Sequence, residues 1–295
     1  MLQSHPVDAP LDRAFIREWP LPSDEDGEKR DRGTVLVVGG SERTPGAVLL
    51  AGTGALRIGA GRLQIATARE VTTAVAVAMP EALVVPLDVT VDDPLRELVD
   101  EADAVVVGPG LVDIETATEL VMMVLNQARP DAVIVIDALA ARALPRVRSH
   151  VSARPNRLLI TVNRQELDFL LDGRQGDVRP ERIVAEDYGL TVVSFGCVAS
   201  PDGRTWTDEV SVLGLGTSGA GDVLAGAAGG AGARCHDAVQ AACWAALCHR
   251  VAATRLAETV VPIGYLARQV ADEIAPALAE LARPGDLGAS GLDVV

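Results

Sequence analysis

The chain has 295 residues, a formal net charge of −15, nearly half hydrophobic residues and only 3% aromatic ones. That length and apolar content suffice for a sizeable core of Val, Leu, Ile and Ala. The acidic balance, with no Lys/Arg-rich stretch to offset it, argues against a nucleic-acid partner, and Arg57 and Arg62 break the longest small-residue stretch, so no membrane-spanning helix is expected. In chain order, residues 1–32 are rich in Pro, Asp and Glu and read as an arm or irregular lead-in. "TVLVVGGS" (34–41) is a β-branched run of the kind found in buried parallel strands. "GAVLLAGTGALRIGAG" (46–61) follows with helical spacing, and "RLQIAT" (62–67) is the next strand, which completes one βαβ unit.

The pattern repeats downstream. Strands are predicted at 82–87, 104–111, 132–137, 157–163 and 190–196, and helices at 115–128, 140–144 and from 166 to 171. "CVASPDGRTWTD" reads as a hairpin turning at Asp202-Gly203. Helices close the chain at 222–230, 237–258 and 262–281, and the Gly/Asp-rich end from Pro284 reads as a loose tail. Alternating strands and helices with no linker inside 33–283 predict one α/β domain, a mainly parallel sheet with helices on both faces. Ligands of such sheets sit outside the carboxyl ends of the strands. Gly39-Gly40-Ser41, Gly108-Pro109-Gly110, Asp137, Asn163 and Gly196 all fall there, so a single shared crevice is expected.

The four cysteines (Cys197, Cys235, Cys243, Cys248) form no CxxC pair or zinc-type cluster, and His249 beside Cys248 reads as a packed helix position. No metal-ligating set is predicted. Reduced thiols, together with an N-terminus lacking a basic start and an apolar core, point to a cytoplasmic protein.

The chemistry concentrates in "GLGTSGAGDVLAG" (214–226). Glycines let backbone N–H groups converge, and at a helix N-terminus such donors make an anion site. Gly219, Ala220 and Gly221 run into the helix expected from Asp222, so a phosphate there would meet several donors. Beside a phosphate, the Asp222 carboxylate fits a proton acceptor for an attacking hydroxyl. The alternative reading makes Asp222 a helix N-cap and the glycines a device for close helix packing. No Gly-Lys-Ser/Thr follows, so this is not a P-loop.

"GTSGAGDVLAG" resembles the nucleotide loop of the ribokinase-like superfamily, and within it the chain resembles the ADP/ATP-dependent NAD(P)H-hydrate dehydratase family. "KRDRGTVLVVGGSERTPGA" (29–47) is similar to the N-terminal block of that family, and Ala55–Gly61, Pro80-Glu81, Gly108–Leu111 and Asp137 match further motifs in order. The resemblance implies a ribokinase-like fold, ADP or ATP with Mg²⁺ as cofactors, and hydrated NADH or NADPH as substrate. It implies Asp222 as the base, Gly196, Cys197, Val198, Gly219, Ala220 and Gly221 around the nucleotide, and Ala47, Gly110, Asp137, Asn163 and Glu166 around the substrate. It also implies a homo-oligomer. With only a short arm before residue 29, a companion epimerase is expected on a separate chain.

Three positions depart from the family pattern. Asn163 stands where a His is expected, Ser194-Phe195-Gly196 replaces a segment carrying a Lys, and Asp137-Ala138-Leu139 lacks a second Asp. Lys29 and Arg164 are candidates to replace the lost cation. Two other readings follow from these losses: a kinase for a different small alcohol, or a non-catalytic adenine-nucleotide-binding protein of the same fold.

Overall fold

The computed structural model describes residues 8–22, 32–87, 94–154, 156–194 and 196–283. In the first half lie β1 (Asp8–Pro10), α1 (Arg13–Glu18), β2 (Thr34–Val38), α2 (Gly46–Arg57), β3 (Arg62–Thr67), α3 (Thr72–Ala78), β4 (Ala82–Pro86), α4 (Pro94–Glu101), β5 (Ala104–Val107) and α5 (Ile114–Gln127). Then come β6 (Val133–Asp137), α6 (Leu144–Val151), β7 (Leu158–Thr161), α7 (Arg164–Leu171), α8 (Pro180–Tyr188) and β8 (Thr191–Ser194). The chain finishes with β9 (Cys197–Ala199), β10 (Thr205–Thr207), α9 (Ala220–Cys235), α10 (Ala238–Thr259) and α11 (Ala267–Ala282).

Among the described residues the strands form one ten-stranded sheet, ordered β1-β10-β9-β8-β7-β6-β5-β2-β3-β4. All neighbours run parallel except β9, which is antiparallel to both β8 and β10. The unbroken β-branched runs are explained by burial on both faces. Val35 and Val37 of β2 pack into the cluster holding α2, α9, α10 and α11, whereas Leu36 and Val38 pack into the one holding α4 to α8. The order reverses at β2, whose neighbours β5 and β3 lie on its two sides. This switch point positions everything described below.

The expected strands are present, β3 over the residues expected and the others shorter. β2 ends at Val38, since Gly39 and Gly40 turn away against Pro109, and a Cβ on Gly39 would sit 2.2 Å from the Pro109 carbonyl oxygen. The helix expected from Asp222 starts at Ala220 and runs on to Cys235, and the last one starts at Ala267 rather than 262. The expected short helix at 140–144 is a 3-10 turn at Ala138–Ala143, continued by α6 with Pro145 in its first turn. The lead-in is not wholly irregular. β1 adds a strand to the β10 edge, and α1 places Ile16 in the core. The expected tail from Pro284 lies outside the described residues. No described helix is long and apolar enough to cross a membrane.

Candidate active site

A cavity of about 540 Å³ opens at the carboxyl ends of β6, β7 and β8, against the N-terminus of α9. Gly219 is the N-cap of α9 at φ +89°, and a side chain there would run into Leu50 of α2, so only glycine fits. Its backbone lets the chain enter the helix with the Gly219, Gly221 and Asp222 N–H groups unpaired among the described residues, while Ala220 N–H bonds the Thr217 carbonyl. These are the orphan donors of a helix start, aimed where an anion is stabilised. No side chain caps the helix, so Asp222 is not its N-cap. It sits in the first turn, in the cavity wall, and its carboxylate makes no hydrogen bond or ion pair to a described residue. Burial pushes its pKa up to about 6.

Asp137, the last residue of β6, faces the same cavity and is almost fully buried. Thr161 of β7 donates to its Oδ1 at 2.6 Å. Burial, opposed by that hydrogen bond and reinforced by the negative charges of Asp222 and Glu166, raises its pKa to about 7. Asp137 therefore lies under the negative charge of two other acids of the cavity wall.

Asn163 and Glu166 form a capping box at the start of α7: Glu166 N–H donates to Asn163 Oδ1 and Asn163 N–H to Glu166 Oε2, both at 3.0 Å. This explains asparagine at that position. Its carbonyl caps the helix and its amide group is left for the cavity.

The structure divides the other expected residues. Gly196, Gly219, Ala220 and Gly221 line the cavity with the acids, but Cys197 and Val198 are buried in β9 and do not reach the wall. Burial drives the Cys197 thiol up to about 12. Ala47 and Gly110 lie to one side, packed so closely that a Cβ on Gly110 would come within 2.9 Å of the Ala47 methyl. The single expected crevice is thus two cavities. Gly40 and Ser41 line a second one, of about 560 Å³, beyond a saddle of glycine backbone at the β2/β5 switch point. The saddle forms because Gly40 N–H bonds the Pro109 carbonyl and Gly108 abuts the Asp137 backbone.

Arg164 is exposed at the start of α7 and is absent from the cavity wall, and Lys29 lies outside the described residues. The cation present instead is Arg250 of α10, ion-paired with the nearly buried Asp208. His249, beside it, is also part of the wall. Burial holds its ring neutral, with a pKa pushed down to about 4, and its Nε2 has no hydrogen-bond partner among the described residues. Val210, Val212 and Leu215 complete an apolar flank. None of these was singled out in the sequence as part of a site. The adjacent His249-Arg250 pair inside the apolar stretch Ala241–Ala253 of α10 was the available signal.

A mainly parallel sheet with a glycine-led helix start and an acid in its first turn is the architecture of a ribokinase-like fold. The fold agrees: a ribokinase-like superfamily protein from Enterococcus faecalis V583 superposes with a TM-score of 0.79 at 22% identity, over 96% of this chain and 100% of that one. The family model described as NAD(P)H-hydrate dehydratase matches residues 35–276, and the chain belongs to that family. An ADP-dependent (S)-NAD(P)H-hydrate dehydratase from Xanthomonas campestris pv. campestris is 39% identical over 92% of this chain and 96% of its own length. A Bacillus subtilis ADP/ATP-dependent NAD(P)H-hydrate dehydratase, co-crystallised with ATP/Mg²⁺, has the same fold, with a TM-score of 0.70 at 22% identity over 92% of this chain and 98% of that one. The chain spans 52% of a longer relative, a bifunctional NAD(P)H-hydrate repair enzyme from Gloeobacter violaceus.

Proposed function

We propose that the chain dehydrates hydrated NADH and NADPH, using ADP or ATP as phosphoryl donor. The observation that carries this reading is Asp222: a half-buried carboxylate without a partner among the described residues, beside N–H groups unpaired among them at a helix start. A terminal phosphoryl group resting on those donors brings its phosphorus to the acid. The ring hydroxyl at C6 of the hydrate attacks that phosphorus, its proton passes to Asp222, and AMP or ADP leaves. The C6–O bond then breaks, with phosphate departing on the ring nitrogen's electron pair, and loss of the C5 proton restores the dihydronicotinamide. Preorganised donors and a positioned base are what phosphoryl transfer asks of a protein.

The apolar flank of Val210, Val212 and Leu215 suits the nucleotide base, with Gly196, Gly219, Ala220 and Gly221 near the phosphates. Cys197 and Val198 support this wall from behind, within β9. Ala47, Gly110, Asp137, Asn163 and Glu166 border the space left for the substrate. Mg²⁺ keeps several waters and needs only one or two carboxylates plus phosphate oxygens. Glu166 on the cavity wall fits that demand, and the ion would offset phosphate charge in a site otherwise rich in acids. Homo-oligomerisation and a cytoplasmic location belong to this same reading, and light scattering on the purified protein tests the first.

Hydrated NADH should be consumed only when ADP or ATP is added, and Asp222→Asn should abolish turnover while circular dichroism stays unchanged. Because the base works ionised, kcat/KM should fall as pH drops through about 6, the value to which burial raises Asp222. Normal turnover in the Asn variant would remove Asp222 from the chemistry, and accumulation of a phosphorylated alcohol would make the protein a kinase instead.

A further inference from the structure

The proposed reaction takes two protons from the substrate, one from the C6 hydroxyl and one from C5. Asp222 accepts the first and stays occupied until it lets that proton go. A second acceptor has to border the same space, because C5 is bonded directly to C6. Among the described residues, the acids lining the first cavity are Asp137, Glu166, Asp208, Glu209 and Asp222. Glu166 Oε2 is taken up by Asn163 N–H in the capping box of α7, Asp208 is ion-paired with Arg250, and Glu209 is exposed to solvent. His249 in the same wall carries an Nε2 with no described partner, but a ring whose pKa is pushed down to about 4 is a poor base. Asp137 remains.

Its carboxyl group is held firmly. Asp137 ends β6, and its register neighbour Thr161 on β7 donates to Oδ1 at 2.6 Å, while no side chain of a described residue bonds Oδ2. The backbone behind it has no room to shift, since a Cβ on Gly108 would stand 2.0 Å from the Asp137 carbonyl oxygen. Ala138, the next residue, is the one non-glycine of the described cavity wall with a positive φ, +51°. Left-handed backbone at a residue with a Cβ is strained, and it persists only where the surroundings impose it. Burial, with the charges of Asp222 and Glu166, raises the Asp137 pKa to about 7, which suits a base working near neutral pH.

We infer that Asp137 is a second catalytic base, which accepts the C5 proton in the elimination half of the reaction. This assignment rests on the dehydratase reading. Once the hydroxyl is phosphorylated, the C6–O bond breaks and phosphate leaves with the bonding pair, while the ring nitrogen's pair forms a double bond to C6. The C5–H bond then breaks. Its proton passes to Asp137, its electron pair becomes the C5–C6 double bond, and the nitrogen recovers its own pair. The two half-reactions are thus divided between an acid of α9 and an acid of β6.

Rapid-quench single turnovers of hydrated NADH with ATP test this, followed for nucleotide cleavage, phosphorylated hydrate and NADH. In the wild type, NADH should keep pace with nucleotide cleavage. Asp137→Asn keeps an acceptor for Thr161 and should cleave nucleotide at close to the wild-type rate. It should form NADH roughly a hundredfold more slowly and accumulate phosphorylated hydrate. Equal slowing of both steps would make Asp137 a binding contact, and unchanged NADH formation would give the C5 proton to water or the departing phosphate; either result overturns the inference. In a second arm, formate added to Asp137→Ala should restore NADH formation without speeding nucleotide cleavage, and failure of this rescue refutes a base at this position. If the wild type consumes no hydrate, the dehydratase reading falls and takes the second base with it. If the wild type consumes hydrate and the variant shows no split between the steps, the second base alone falls.

Discussion

Glycines of one short loop do different work, and the difference is testable. Gly219 is demanded by its backbone at φ +89° and by Leu50, whereas a Cβ on Gly221 would meet no atom within 4 Å. The fold therefore does not require glycine at 221; open space next to free N–H donors does. Gly221→Ala should leave thermal stability unchanged or raise it by under about 1 kcal/mol, since alanine is the better helix former. Its methyl group would occupy the proposed phosphate position, and ADP affinity measured by calorimetry should fall tenfold or more. Native affinity in this variant would move the nucleotide elsewhere. Asp222 stood out in the sequence because an acid after GxG is conspicuous, and the structure puts it in the cavity wall. That it is not an N-cap needed the structure, since the sequence does not say which of Gly219 and Asp222 begins the helix.

Between elements, the contact that fixes the loop is α2 against α9. Gly54, Gly226 and Gly230 let the two backbones meet, and a Cβ on Gly226 would stand 1.8 Å from the Ala51 carbonyl oxygen. Backbone cannot yield as a side chain does, so Gly226→Ala should force the helices apart. About 3 kcal/mol of destabilisation is expected, read by denaturant unfolding, together with loss of nucleotide affinity because the α9 start moves. Wild-type stability in this variant would show that the interface is looser than described. The small-residue stretches hinted at such packing, yet partner helices distant in sequence are not written in either one. Strands were legible because burial on both faces leaves an unbroken apolar run. The helix α8 was missed although Pro180 and Gly189, at its first turn and its left-handed C-cap, were there to mark it. The strand β1 was missed for a physical reason: three residues carry no period, and only β10 makes them a strand. The contributions of Asp208, His249 and Arg250 to the site were hidden likewise, since separate elements bring them together.

Across the whole molecule, the two perturbed acids couple folding to pH. The carboxyls of Asp137 and Asp222 rise from the usual 3.8 to about 7 and about 6, so the folded state holds protons that the unfolded chain releases. Their effect is a loss of stability as pH increases from about 4 to 7. Asp137→Asn, which keeps an acceptor for Thr161, should therefore be more stable than wild type at pH 8, by roughly 1–4 kcal/mol. The gain should vanish below about pH 4, where both states of the wild type are protonated. A gain independent of pH would mean that charge is not its source. The proposed function thus rests on two groups whose burial costs the folded state stability, a common trade between activity and stability.

The edge pairing of Asp8–Pro10 with Thr205–Thr207, buttressed by Phe15 whose ring centroid lies 5.9 Å from that of Trp206, bears on how the protein is made. On a ribosome adding 5–20 residues per second, the leading segment emerges roughly 10–40 s before its hydrogen-bonding partner exists. Throughout that interval Phe15 and Ile16 are bare greasy surface on a nascent chain. A segment made so long before its pairing partner is among the last to settle, which makes it a natural handle for a chaperone.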